Sequence, residues 1–317
     1  MRHVARTIFV VLSTLLSVHV TVADELFIAQ SPITCIVITS DGRTVIDGSQ
    51  AGIRIRKFTD LAVEKTLTAP CRNIDDIVLS PDEKMFAVVG GNPGESAWVG
   101  LYSWPNQNLI FSQSFSDDLT YAASFSASGK SLAVACHDHS VVLLDTIAGT
   151  IKSVLTGHSR PVTALAFVND DNTLLSCGID QSIRVWDCNR STVVRSLNNH
   201  TQPITCLAIR PNAGDATPMA ATGSEDKTVR LWQPTIGRLV RFQRLSSPIS
   251  SLTWASDGMA MIAGCRDGRI RVIQADTLLT VEHTTTSDAW ITAVAVHPSQ
   301  STVVIGDSRG QLQKLPL

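Results

Sequence analysis

Pro161-Val-Thr-Ala-Leu-Ala-Phe167 and Pro203-Ile-Thr-Cys-Leu-Ala-Ile209 are two copies of a phrase that recurs along this 317-residue chain. Further copies begin at Pro32, Pro248 and Trp290. With two weaker copies, the phrases are anchored by Ile33, Ile74, Thr120, Val162, Ile204, Ile249 and Ile291. Neighbouring anchors lie 41 to 46 residues apart. A period of this size indicates a repeat architecture.

Each repeat unit has the pattern of four short strands. After the phrase come a polar turn, a small apolar strand such as Met219-Ala-Ala-Thr-Gly223, and a second tight turn. The third strand alternates apolar and polar residues, as in Thr228-Val-Arg-Leu-Trp232, and a less regular fourth strand follows. Short β-rich runs with frequent turns are typical of all-β proteins.

Seven such units predict a closed ring. Successive side chains of a strand point to opposite faces, so a single small sheet leaves one face bare. Radial packing around an axis covers both faces of each sheet. We therefore expect an all-β, seven-bladed β-propeller of four-stranded antiparallel blades. The last unit ends at its third strand, which would leave an unpaired strand edge. We therefore expect residues 25–29 to pair antiparallel beside residues 312–315. This pairing would protect the edge and close the ring.

Two units resemble the WD40-repeat family closely. In that family a His, a Ser or Thr, an Asp and a Trp of one blade form a hydrogen-bonded relay. The resemblance implies two structural relays here, because buried polar groups need partners. The matching residues are His158, Ser176, Asp180 and Trp186 in one unit, and His200, Thr222, Asp226 and Trp232 in the other.

The other five units depart from the relay pattern. Arg56 and Ile273, for example, stand where the strong units have tryptophan. We expect apolar packing to hold these blades together. The basic stretches Arg54–Lys57 and Arg266–Arg271 lie on or near third strands, where alternate polar residues are expected, so they are interpreted as solvated strand faces.

The N-terminal 23 residues differ from the repeats. Arg2 and Arg6 precede a mostly apolar run, and small residues at 21–23 suggest cleavage before Asp24. This pattern predicts a signal peptide over residues 1–23, a propeller over 24–317, and export to the periplasm or the extracellular space. The apolar run is short for a membrane span. An uncleaved N-terminal anchor is the alternative.

Composition and cysteines narrow the classes of function. The chain is 44% hydrophobic and 17% charged, with a formal net charge of −2. This composition does not suggest the basic surface that nucleic-acid binding requires. Seven cysteines leave at least one thiol free. Most are interpreted as small buried hydrophobic residues. A contact between Cys177 and Cys206 in neighbouring blades stays open.

No catalytic constellation is apparent in the sequence. His137 and His139 could share a strand face and ligate a metal, but Asp138 falls in the turn-aspartate position, which favours turn chemistry. Neither a metal nor a cofactor is predicted. The alternative is a propeller enzyme, lactonase-like or quinoprotein-like, with its site at the channel mouth. Against it, the residues that follow the anchors, which are expected to line the channel, all carry hydroxyl groups except Asp75, and a single aspartate makes a weak metal site.

The leading prediction is a monomeric, non-catalytic scaffold that binds a protein or peptide partner. In the resembling family, residues before the turn aspartate face one end of the ring. In this chain the seventh phrase has Trp290 where four others have proline, in the loop that enters the innermost strand near the mouth of the central channel. An exposed aromatic residue there could anchor a partner. The predicted contacts are Trp290, His137, Ile179, Glu225 and Arg266. The segment from Gly90 to Trp98 is interpreted as an enlarged turn at the rim.

Overall fold

The computed structural model describes residues 30–116, 119–211, 217–285 and 288–317. All regular elements within these ranges are β-strands. Blade one contains β1 (Cys35–Ile38), β2 (Thr44–Ser49), β3 (Gly52–Lys57) and β4 (Val63–Leu67); blade two contains β5 (Asn73–Leu79), β6 (Met85–Asn92), β7 (Ser96–Ser103) and β8 (Leu109–Ser116); blade three contains β9 (Thr120–Phe125), β10 (Ser131–Cys136), β11 (Val141–Asp145) and β12 (Ile151–Leu155).

The remaining four blades follow the same order. Blade four contains β13 (Val162–Phe167), β14 (Thr173–Gly178), β15 (Ile183–Asp187) and β16 (Thr192–Leu197); blade five contains β17 (Ile204–Ile209), β18 (Ala220–Ser224), β19 (Thr228–Gln233) and β20 (Arg238–Arg244); blade six contains β21 (Ile249–Trp254), β22 (Ala260–Cys265), β23 (Arg269–Gln274) and β24 (Thr280–Thr284); blade seven contains β25 (Ile291–Val296), β26 (Thr302–Asp307) and β27 (Leu312–Pro316). Strands pair antiparallel in sequence order within each sheet. The predicted seven-bladed propeller is confirmed.

The core is distributed between neighbouring blades. Leu175 and Val185 of blade four, for instance, pack in one cluster with Trp232 of blade five. Leu231, on the opposite face of blade five, packs in another cluster with Met261 of blade six. Each sheet therefore buries both faces against its neighbours, as the alternating pattern of the strands requires.

Hydroxyl groups connect the innermost strands around the ring. The residue that follows the anchor donates its hydroxyl hydrogen to the anchor carbonyl of the next blade. These bonds run from Thr34 to Ile74, Thr163 to Ile204, Thr205 to Ile249, Ser250 to Ile291 and Thr292 to Ile33. Asp75 and Tyr121 occupy the same position at the junctions of blade two with three and of blade three with four. The column expected to line the channel thus serves mainly to join blades.

Blade seven contacts blade one directly, which closes the ring. The Ile33 amide donates to the Asp307 carbonyl at 3.1 Å. His297 Nε2 donates to the Gly42 carbonyl at 3.1 Å, since its Nδ1 accepts from the amides of Ser299 and Gln300. Main-chain and side-chain bonds therefore join the two ends of the described chain.

The predicted closing strand, residues 25–29, lies outside the described residues, and so does the predicted signal peptide. Blade seven consequently has three strands in the part of the chain that the structure describes. Gln30, the first described residue, lies against Gly310 in the turn before β27. The pairing of residues 25–29 with 312–315 stays a prediction.

Blade two corrects the interpretation of Gly90 to Trp98 as an enlarged turn. β6 and β7 each extend for eight residues, and Asn92 still pairs with Ser96. Only residues 93–95 turn. The extra residues therefore lengthen a regular hairpin, because continued backbone pairing satisfies their peptide groups.

We expect Gly42→Ala to destabilise the ring junction more than Gly94→Ala. Both glycines have left-handed backbones, with φ of 70° and 72°, so alanine pays a similar backbone penalty at each. An added methyl at Gly42 would lie 2.3 Å from His297 Nε2, whereas at Gly94 it would meet no atom of the described residues within 4 Å. The difference should be about 2 kcal/mol, typical of overpacking. Urea unfolding of both variants measures it, and equal midpoints would contradict this account of the junction.

Candidate functional site

The first predicted group is buried inside blade four. His158 Nδ1 donates to Asp180 Oδ2 at 2.9 Å, and His158 Nε2 lies 2.7 Å from Ser176 Oγ. Trp186 Nε1 donates to the same Ser176 oxygen at 2.7 Å. The Ser176 hydroxyl can therefore donate to His158 while it accepts from Trp186. This series of hydrogen bonds joins the loop before the first strand to the second and third strands, which is a structural role.

Blade five repeats the same chain of hydrogen bonds. His200 lies 2.8 Å from both Asp226 Oδ2 and Thr222 Oγ1, and Trp232 Nε1 donates to Thr222 at 2.9 Å. Burial alone would raise the pKa of Asp226, but hydrogen bonds from Thr228 and His200 lower it to about 2. Burial lowers the pKa of His200, against the opposing effect of Asp226. At neutral pH the pair is therefore a charged aspartate and a neutral histidine.

Buried ion pairs replace the relay in blade one, which corrects the expectation of solvated arginines. Asp47 pairs across the sheet with Arg54, as Ser176 pairs with Arg184, so Asp47 occupies the relay hydroxyl position. The Asp47 side chain is fully buried and contacts both Arg54 and Arg56, which are 18% and 13% exposed. Charge pairing, as well as apolar packing, holds this blade.

A second buried arginine lies in blade six. The Arg271 side chain is 3% exposed, and its Nη2 lies 2.7 Å from both Asp267 and Glu282. It also donates to Ser246 Oγ at 2.7 Å. Arg271 was also expected on a solvated face. The alternation of a third strand is the same for a solvated and a buried arginine, so the pattern alone could not separate them.

The rim at the channel mouth is held through main-chain atoms. Residues before the second turn donate their amide hydrogens to carbonyls in the loop that enters the first strand of the same blade. These bonds measure 2.9 to 3.1 Å and run from His137 to Leu119, Ile179 to Pro161, Glu225 to Pro203, Arg266 to Pro248 and Ser308 to Trp290. The rim positions are thus fixed independently of their side chains.

Three of the five predicted contact residues meet on this rim. Trp290 is 52% exposed. The Arg266 guanidinium carbon lies 5.2 Å from the Trp290 ring centroid, and Arg266 also forms an ion pair with Glu225. Arg266 and Glu225 are each about one-third exposed. Blades five, six and seven therefore present one continuous surface, called here the Trp290 surface.

The other two predicted contacts lie elsewhere on the ring. The His137 ring is tilted against Tyr121, with 6.0 Å between centroids. Ile179 is half-buried in blade four. Next to His137, both the amide and the hydroxyl of Ser140 donate to Asp138 Oδ1, which is the expected turn chemistry. Within the described ranges, no group of three metal-ligating side chains occurs.

Asp75 and Asp76 introduce charge into the innermost strand of blade two. Burial, with a smaller contribution from Asp76, raises the pKa of Asp75 to about 7. Its Oδ2 is buried and has no hydrogen-bond partner among the residues that the structure describes. Burial raises the pKa of Asp76 to about 6, although the amides of Ala123 and Ile77 donate to it. The sequence shows that Asp75 follows its anchor, but only the structure shows that it stands where other blades have a bridging hydroxyl.

All seven cysteines are free thiols, Cys177 and Cys206 included. Burial raises the pKa of Cys136 and of Cys206 to about 12. The thiolate is the reactive form of cysteine, so these two side chains are poor nucleophiles. They act as small packing groups.

Comparison with known proteins identifies the family. The family model described as WD domain, G-beta repeat matches residues 149–187 and 191–233, which contain the two relays. The model of the anaphase-promoting complex subunit 4 WD40 domain matches residues 217–306. The fold is a seven-bladed propeller with relays in two blades. The chain belongs to the WD40-repeat family.

Curated proteins similar to this chain include a WD repeat-containing protein and a small nucleolar RNA-associated protein. The chain is 24% identical over 212 residues to a WD repeat-containing protein 26 homolog of Arabidopsis thaliana, covering 65% of this chain and 34% of the relative. It is 30% identical over 172 residues to a U3 small nucleolar RNA-associated protein 15 homolog of Xenopus tropicalis, covering 54% and 33%. The chain thus spans about a third of the length of these relatives.

Proposed function

We propose that this chain is a non-catalytic scaffold that binds a protein or peptide partner over the Trp290 surface. The half-exposed Trp290 ring with Arg266 stacked on it carries this proposal. Tryptophan and arginine are enriched among residues that dominate binding energy at protein interfaces. Family membership supports a scaffold because repeat propellers display loops on a fixed frame.

The surface has the mixed character of a protein interface. Glu225 neutralises part of the Arg266 charge, so the patch is neither strongly basic nor strongly acidic. An aromatic ring, a guanidinium and a carboxylate together fit a peptide with an apolar anchor flanked by polar groups. His137 and Ile179 remain proposed contacts for a partner that extends across the channel mouth.

We expect Trp290→Ala to reduce partner recovery at least tenfold, because truncation of an aromatic anchor typically costs about 2 kcal/mol or more. The assay is affinity capture from the native host with quantitative mass spectrometry. Leu279→Ala is the matched control, since Leu279 is 68% exposed on another part of the surface. A partner whose recovery is equal for wild type, Trp290→Ala and Leu279→Ala would reject the Trp290 surface.

Export is a separate proposal. It is supported by the composition of residues 1–23, which lie outside the described part of the chain. Within the described ranges, no helix is long and apolar enough to cross a membrane. The Trp290 surface does not depend on the compartment.

A further inference from the structure

The outer strands of blades four and five carry arginines but no acidic residues. Residues 188–198 and 233–248 contain no Asp or Glu, although the chain as a whole has a net charge of −2. The arginines in these stretches are Arg190, Arg195, Arg238, Arg241 and Arg244. Arg190 forms an ion pair with Asp187, and the other four are exposed. The periphery here is therefore locally basic.

Strand pairing assigns these arginines to different faces. Arg195 pairs with Val185, whose side chain packs in the core between blades four and five together with Trp232. Directly paired residues share a sheet face, so Arg195 projects toward blade five. Arg241 pairs with Leu231, which packs in the core between blades five and six. Arg241 therefore projects to the other side.

The second wall of the groove between blades four and five comes from β20. Phe242 pairs with Arg230, and Arg244 pairs with Thr228. Thr228, Arg230 and Trp232 alternate along β19, so they share the face that packs on blade four. We call the set Arg195, Arg230, Phe242 and Arg244 the arginine groove.

Its central residue is an exposed aromatic ring held in place. Phe242 is 52% exposed, and the Arg230 guanidinium carbon lies 5.3 Å from its ring centroid. Arg230 is itself fixed by Thr228 Oγ1 at 3.1 Å and by Asp226 at 3.7 Å. The anchored Arg230 guanidinium thus positions the Phe242 ring before any partner arrives, which lowers the entropy lost on binding.

Charged groups lie on either side of that ring. An ideal Cβ at Gly237 would be 2.8 Å from Arg195 Cδ, so the Arg195 stem lies against the turn of blade five. Arg244 Nη1 donates to the main-chain carbonyl of Asp226 at 3.4 Å. In the described ranges neither Arg195 nor Arg244 has a carboxylate within ion-pair distance. Both guanidinium groups can accept one.

We propose that the arginine groove binds an extended, acidic segment of a partner protein. Carboxylates would pair with Arg195 and Arg244, because the guanidinium fork matches carboxylate geometry. An apolar side chain would cover Phe242. β20 is the outermost strand of its sheet, so its free edge can add hydrogen bonds to an extended backbone. Seven residues of strand offer about 23 Å of length, enough for about seven residues of peptide.

The proposal is tested with a fluorescent twelve-residue peptide of glutamates around a central leucine. Binding to the full chain is followed by anisotropy at physiological salt. We expect Phe242→Ser and Arg244→Ala each to weaken binding about tenfold, as for central interface residues. Arg241→Ala is the matched control, because it removes the same charge from the same strand on the opposite face. It should change affinity less than about twofold.

Three results would overturn the proposal. Equal weakening by Arg241→Ala and Arg244→Ala would show unspecific charge attraction. Unchanged binding in Phe242→Ser would remove the apolar contact. Tighter binding of a twelve-nucleotide single-stranded DNA, lost in the same variants, would assign the groove to nucleic acid. Trp290→Ala should leave peptide binding unchanged, so the groove and the Trp290 surface can fail separately. Thermal unfolding of every variant checks the fold.

Discussion

Replacing Thr222 by valine should lower the free energy of unfolding by about 3 kcal/mol. Valine keeps the shape of threonine but removes the oxygen that joins His200 to Trp232. His200 Nε2 and Trp232 Nε1 would then both be buried without this partner, and each buried group left without a hydrogen bond costs about 1–3 kcal/mol. Urea unfolding at pH 7 measures the loss. Thr192→Val, on an exposed position of β16, is the control and should change stability by less than about 0.5 kcal/mol.

A double-mutant cycle separates the relay from simple packing. Trp232→Phe removes the indole N–H from wild type, but in the Thr222→Val background that N–H is already unpaired. We therefore expect the second substitution to cost less in the valine variant, with a coupling energy of about 1 kcal/mol or more. Additive effects would mean that the hydrogen bonds contribute little.

Replacing Asp75 by threonine should stabilise the protein, and more so at alkaline pH. Threonine stands at this position in four other blades and bridges to the next anchor carbonyl. The raised pKa of Asp75, about 7, means that its folded state favours the proton. Its contribution is fully present below the unfolded pKa and is lost as pH rises through about 7. The gain from threonine should therefore grow by about 2 kcal/mol between pH 5 and pH 8.

Thermal or urea unfolding at both pH values tests this sign. Asp76 is present in both proteins, so the difference between them reports mainly on Asp75. Asp276→Thr provides a control at an exposed turn aspartate. A variant that is less stable than wild type at pH 8 would show that the Asp75 carboxylate has a partner worth more than the bridging hydroxyl.

The periodic features of this protein could be predicted from its sequence. The seven recurrences of the phrase, 41 to 46 residues apart, predict the blade number, and the register then aligns His158, Ser176 and Trp186 with His200, Thr222 and Trp232. The two relays occur at those residues in the structure. Trp290 stood out for the same reason, since it breaks a proline column and its position in the repeat placed it at the channel mouth.

Features that depend on the neighbour of a residue could not be predicted in this way. Arg56 and Arg271 have the alternation expected of solvated residues, yet Asp47, Asp267 and Glu282 pair with them. The guanidinium group of an arginine can be satisfied either by a carboxylate or by water. Only the three-dimensional structure shows which of the two is present. The arginine groove was missed because its members come from two repeats and are brought together by blade packing.

The hairpin of blade two illustrates a third kind of difference. Glycine and proline between Gly90 and Trp98 indicate a turn, and a turn does occur at residues 93–95. The residues around it pair as strands because the backbone groups of Asn92 and Ser96 satisfy each other. The local composition indicates where the chain reverses but not how long the two strands of the hairpin are.

The main-chain support of the rim has a consequence for how such a protein can change. Amide-to-carbonyl bonds position His137, Ile179, Glu225, Arg266 and Ser308, and those bonds are available to any residue other than proline. Substitution of these side chains would leave the frame intact. A lineage could therefore acquire a new binding partner by substituting a few surface residues, with little loss of the ability to fold.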